Sequence, residues 1–116
     1  MARLRSDFWV AAHLRRCGVE GIEAVLRRRG AAEAGAIYVT VDHLDGLVDL
    51  YGPAPQSELT GDETDRLFAP LLSGAAPPDI EVRMVRELRY DPDLWWISID
   101  DRLGRSALTL VRAEPR

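Results

Sequence analysis

Residues 36–52 read AIYVTVDHLDGLVDLYG, and the reading of this stretch decides the fold. Ile37, Val39 and Val41 alternate with Tyr38, Thr40 and Asp42, the period of two that marks a strand with unlike faces. His43-Leu44-Asp45-Gly46 supplies turn chemistry, with Asp-Gly suited to the positive φ of a tight hairpin. Residues 47–52 return with Val48 and Leu50 opposed to Asp49 and Tyr51, and Gly52-Pro53-Ala54-Pro55 ends the pairing. The spacing predicts a β-hairpin over 36–52.

Downstream, 94–100 alternate again, with Trp95, Ile97 and Ile99 set against Trp96, Ser98 and Asp100. Arg102-Leu103-Gly104-Arg105 turns the chain, and 106–112 read as a return strand with Leu108 and Leu110 inward, a second hairpin over 94–112. Between the hairpins, 56–79 carries a helix-like pattern and a linker. Thr60 and Glu63 have capping-box spacing, Leu67, Phe68, Leu71 and Leu72 continue a helical pattern that Pro70 interrupts, and Ser73 to Pro78 is rich in small residues and proline. Residues 80–89 fit either a strand through Ile80, Val82 and Met84 or a helix through Met84, Val85 and Leu88. The charged face of Arg83, Arg86, Glu87 and Arg89 favours the helix.

Upstream, Ser6 can cap a helix over 7–17 that carries Val10, Leu14 and Cys17 inward and stops at Gly18. A second helix over 20–29, with Ile22, Val25 and Leu26 on one side, ends in Arg27, Arg28, Arg29 and Gly30, completing a helical hairpin over 7–29. The expected fold is α+β in a single domain, 1–116. Two β-hairpins form a four-stranded, mainly antiparallel sheet, packed on one face by the helical hairpin and one or two short helices.

Composition bounds the function. At 116 residues and 47% hydrophobic, the chain holds one core; its net charge of −4 excludes a generally basic nucleic-acid coat. Every basic side chain among the 15 Lys plus Arg is Arg, a pattern that a GC-rich genome produces without selection for phosphate binding. Charge is segregated: residues 1–30 carry +4, 31–82 carry −9 and 83–116 carry +1. No signal peptide, spanning segment or lipidation signal is recognisable, and a lone Cys17 fits a reducing cytoplasm rather than a disulfide framework.

The candidate constellations are weak. His13 and Cys17 at i, i+4 could meet as a nucleophile pair, but Cys17 sits on the apolar stripe, where burial opposes a thiolate. Asp42, His43, Asp45 and Asp49 surround Gly46, yet the calcium-loop pattern fails because Val41 and Gly52 would fall where carboxylates are needed. Asp91, Asp93 and Asp100 suit a carboxylate-based hydrolase only if Asp100 converges with one of the others. Arg27, Arg28 and Arg29 could hold an anion or nucleic acid, although no accompanying motif supports it; cations at a helix C-terminus are the plainer account. Trp96, on the opposite face from Trp95, could join Arg83, Arg86 and Arg89 in a protein contact, commonly a symmetric dimer. The residues thus point to no catalytic set, no metal and no cofactor. They favour an interaction module that self-associates or takes a protein partner.

Taken together, SDFWVAAHLRRC at 6–17, RRRGAAEAGAIYVTVD at 27–42, DLYGPAP at 49–55 and RELRYDPDLWWISIDDRLGR at 86–105 resemble the bacterial family named domain of unknown function 1491. The resemblance implies a small stand-alone cytoplasmic protein with no assigned activity, cofactor or catalytic residue.

Overall fold

The computed structural model describes residues 4–55 and 66–111. Helix α1 (Ser6–Val19) opens the chain. Ser6 does not cap it. Its hydroxyl is buried and donates to the Gly35 carbonyl at 2.7 Å, and the first free N–H groups, Ser6 and Asp7, instead reach the carbonyls of Glu33 and Ala32 at 3.2 and 2.9 Å. The helix runs past Gly18 and stops at Gly21 (φ 75), where Gly21 and Ile22 N–H return to the Gly18 and Cys17 carbonyls.

After that cap the chain extends into a strand, β1 (Glu23–Arg28), so the expected helix over 20–29 is overturned. Ile22, Val25 and Leu26 fit a helical period over ten residues, but alternation fits as well. Ala24 and Leu26 pack against the core while Glu23 and Val25 stay exposed. The hairpin β2 (Ile37–Asp42) to β3 (Val48–Pro53) forms as expected, with Thr40 opposite Leu50. Residues 67–75 are also extended: β4 (Leu67–Ala75) replaces the expected helix and linker there. Pro70 is tolerated there because β4 borders the open side of the sheet beyond its contact at residues 67–68. Thr60 and Glu63 lie outside the described residues.

Helix α2 (Pro77–Tyr90) forms where the charged face indicated, starting on two prolines suited to a first turn. Strand β5 (Trp95–Asp100) follows, and here the second hairpin fails. β5 lies between β1, antiparallel, and β2, parallel, so neither of its sides is left for a return strand. Residues 101–108 instead cross the α1 face, where Ala107 and Leu108 join the core, and β6 (Thr109–Leu110) pairs parallel with β4 at the far edge. Leu110 is 43% exposed rather than inward.

The sheet is therefore six-stranded and mixed, in the order β1-β5-β2-β3-β4-β6, rather than four-stranded and mainly antiparallel. Its two faces bury different clusters. Ile37, Val39, Val41, Trp95, Ile97 and Ile99 pack with α1 through Val10 and Cys17. Val48, Leu50, Leu94 and Trp96 pack with α2 through Ile80 and Met84. Helices thus cover both faces, not one. A parallel pair requires a crossover, and α2 is the crossover that carries the chain from β4 back to β5.

Candidate functional site

Adjacent strand residues must face opposite ways, so Trp95 and Trp96 enter different layers. Trp95 belongs to the α1 side and donates its indole N–H to the Ala31 carbonyl at 2.8 Å. Trp96 belongs to the α2 side, is 5% exposed, and donates to Thr40 Oγ1 at 3.1 Å. The expected outward Trp96 is accordingly a core residue. Its cover is Arg27, whose guanidinium lies 3.8 Å above the indole ring while Nη2 donates to Glu81 of α2 at 2.8 Å. This stack joins β1, β5 and α2, and it ties the basic opening of the chain to its acidic middle.

The other arginines separate. Arg83 donates to Glu87 at 2.7 Å, and Glu87 also accepts the Tyr38 hydroxyl at 3.1 Å. Burial, reinforced by the Glu87 charge, pushes the Tyr38 hydroxyl pKa up to about 12. Arg86 and Arg89 are exposed on the outer side of α2. Arg28 donates to the Leu94 carbonyl at 2.7 Å, and Arg29 stands 5.4 Å over Trp95. Arg27, Arg28 and Arg29 therefore serve three neighbours and do not present one anion patch; a strand with an irregularity between Leu26 and Arg28 fans them apart.

Beside the stack the surface is apolar. Val82 and Val85 of α2 are 70% and 55% exposed, and Val25 of β1 is 58% exposed. A shallow groove of about 400 Å³, lined by Glu81, Val82, Val85, Arg86 and Arg89, runs along this side of the helix. The arrangement suits a macromolecular contact: apolar side chains in the middle, guanidinium groups at the rim.

Elsewhere the candidate pairs resolve into structural roles. His13 is buried, not at the surface; its Nε2 lies 2.9 Å from the Ser106 carbonyl, which also lies 4.0 Å from Cys17 Sγ. The two side chains thus converge on one backbone oxygen. Burial holds the His13 pKa below its ordinary value and pushes the Cys17 thiol up, so neither is poised as an activated nucleophile pair. Trp9 stacks on His13 with centroids 4.6 Å apart.

In the hairpin turn, Asp42 and Asp45 accept the N–H groups of Leu44 and Leu47 at 2.8 and 3.1 Å. Asp49 binds His43 Nε2 at 2.7 Å through one oxygen and Gly74 N–H at 2.7 Å through the other. Among the described residues no group of three or more His, Cys, Asp or Glu is placed to hold a metal ion. Asp91 and Asp93 precede β5 and Asp100 ends it, so the strand's length of roughly 20 Å separates them. One centre cannot use both ends.

The sequence matches the family model "Protein of unknown function (DUF1491)" over residues 4–109. This chain belongs to the DUF1491 family. It is similar to the solution structure of protein Atu0922 from A. tumefaciens, at 38% identity and a TM-score of 0.80, covering 99% of this chain and 100% of that one. It is also similar to the crystal structure of a DUF1491 family protein from Caulobacter crescentus CB15, at 34% identity and a TM-score of 0.75, covering 92% and 96%. No curated protein matches. Among the described residues no DUF1491 helix here is long and apolar enough to cross a membrane. No local signal in the sequence of this DUF1491 chain points to the Arg27–Trp96–Glu81 stack: its members lie far apart along the chain, and a helical reading of 20–29 turns Arg27 away from both.

Proposed function

We propose that this chain is a small, non-catalytic cytoplasmic module that acts through protein contacts and associates with itself. The observation that supports the reading is the exposed apolar strip of Val82 and Val85 on α2, which shares a groove with Arg86 and Arg89. Scattered exposed valines are ordinary, but a contiguous strip rimmed by arginines marks a contact surface. Sedimentation velocity across a hundredfold dilution tests it, with a pull-down from a bacterial extract as the second arm. A concentration-dependent shift in mass supports self-association; a strict monomer that captures no partner defeats the reading.

A second reading, binding of a small anion, has one observation in its favour. A pocket of about 140 Å³ between α1 and residues 107–109 is lined by Trp9, His13, Arg16 and Arg66. Arg16 already pairs with Glu20 at 3.0 Å, so any anion competes with that carboxylate. Titration with inorganic phosphate at low salt, followed by tryptophan fluorescence, should show saturable binding that salt weakens. No change up to millimolar phosphate removes this reading.

A further inference from the structure

We propose that two copies of this chain pair edge to edge through β1, antiparallel, about a two-fold axis at Val25. The inference rests on the self-association reading above and names the surface that performs it. β1 ends the sheet: β5 occupies one side, and among the described residues no strand pairs with the other. Half of its backbone N–H and C=O groups therefore point outward, a template for another strand. The opposite border is blunted by Pro70 and by a β6 of two residues, whereas β1 carries no proline, stays in regular register over Glu23–Leu26, and has its one irregularity at Arg27, between Leu26 and Arg28.

The side-chain order selects a second copy of this chain as the occupant. In a continuous antiparallel ribbon, directly opposed residues share a face, so a two-fold axis perpendicular to the sheet must pass through a residue. With the axis at Val25, Val25 meets Val25 and Ala24 meets Leu26 within the regular stretch, and each copy's Glu23 reaches the other's Arg27 where the irregularity closes the ribbon. Two opposite-charge pairs flank one apolar contact. Moving the axis to Ala24 sets Glu23 against Val25 and brings buried Ile22 to the edge; moving it to Leu26 sets Val25 against Arg27. Arg27 already stands on the α2 face, held by Trp96 and Glu81, and a second copy's Glu23 approaches it from the outer side. The pairing consumes the β1 edge of both copies and closes on itself, which stops further growth through that edge.

Sedimentation equilibrium on the full chain and three samples tests the register. Glu23→Arg sets Arg across from Arg twice and should raise the dimer dissociation constant by about tenfold or more. The double variant Arg27→Glu/Glu81→Arg keeps the internal ion pair with exchanged signs, sets Glu across from Glu, and should weaken the dimer similarly. An equimolar mixture of the two restores both cross-strand pairs and should form dimers containing one of each. A fold defect could not be cured by mixing, and far-UV circular dichroism confirms that each variant is folded. If the wild-type dimer persists in both variants with less than about threefold change, and mixing adds nothing, the β1 register is wrong while self-association stands. If the wild type is monomeric throughout, both fall.

Discussion

Replacing Arg27 by Ala removes the cover of Trp96 and one half of the Arg27–Glu81 pair, and its cost can be worked from the geometry. A guanidinium 3.8 Å above an indole contributes about 0.5–2 kcal/mol, towards the upper end where the ring is buried. The ion pair at 2.8 Å joins side chains 44% and 51% exposed, so solvent screening limits it to ~0.2–1 kcal/mol. Together they predict a loss of about 1–2 kcal/mol. Urea unfolding followed by far-UV circular dichroism measures it, with an unchanged denaturant slope as the sign that compactness is preserved. Glu81→Ala should cost less than Arg27→Ala, because it leaves the stack in place. Arg27→Lys should fall between wild type and Arg27→Ala, keeping the charge while losing the planar contact. Arg27→Ala should also increase acrylamide quenching of tryptophan, as Trp96 meets solvent. Stability within about 0.3 kcal/mol of wild type, with unchanged quenching, would refute the assignment of Arg27 as the lid of Trp96.

Three further outcomes are expected. The two histidines should titrate on opposite sides of the ordinary value in NMR: the Asp49 hydrogen bond holds His43 above it, and burial holds His13 below. Stability from His43 is full below its unfolded pKa and is lost as pH rises through the raised folded one. That of His13 is full above its unfolded pKa and is lost as pH falls towards its lower folded one. Urea midpoints of His43→Gln and His13→Gln against wild type from pH 5 to 8.5 should show these opposite slopes. Gly104→Ala should destabilise by at least ~1–2 kcal/mol, because residue 104 adopts φ 74 and a Cβ there would press on the His43 ring; a thermal melt measures the loss, and the His43 titration should move back towards its ordinary value. Asp101 accepts from Arg105 through its N–H, Nε and Nη2, hydrogen bonds that lower its pKa to about 2. Asp101→Asn should therefore lower the urea midpoint at pH 7, and the gap to wild type should close as pH falls from about 4 towards about 2.

Local chemistry that decides its own outcome was legible in the residues. The 36–52 hairpin carries its alternation, its turn and its terminating prolines within one stretch, and α2 carries a charged outer face over 83–89, although its opening Pro77 and Pro78 read as linker. The family was legible too, because its motifs lie along most of the chain. β1 and β4 were misread for one reason: Ile22-Val25-Leu26 and Leu67-Phe68-Leu71-Leu72 satisfy a helical spacing, and short apolar runs satisfy a period of two almost as readily. For the candidate site, the residues mark Trp96 and the arginines as unusual, but not that Arg27 covers Trp96. Read at a helix end, Arg27 has no reason to meet Glu81, 54 residues on; only the strand β1 brings them together.

The amino-acid order alone determined that Trp95 and Trp96 must part to opposite faces of a strand, and that the charge of the chain divides into blocks. These follow from composition and from the two-residue period of an extended backbone. Only tertiary structure decided that β5 inserts between β1 and β2, which removed the place for a second hairpin and sent residues 101–108 across the α1 face. Strand neighbours are chosen by burial on both faces of the whole sheet, a property no single segment carries. The same insertion brought Arg27 over Trp96 and left β1 at the end of the sheet among the described residues.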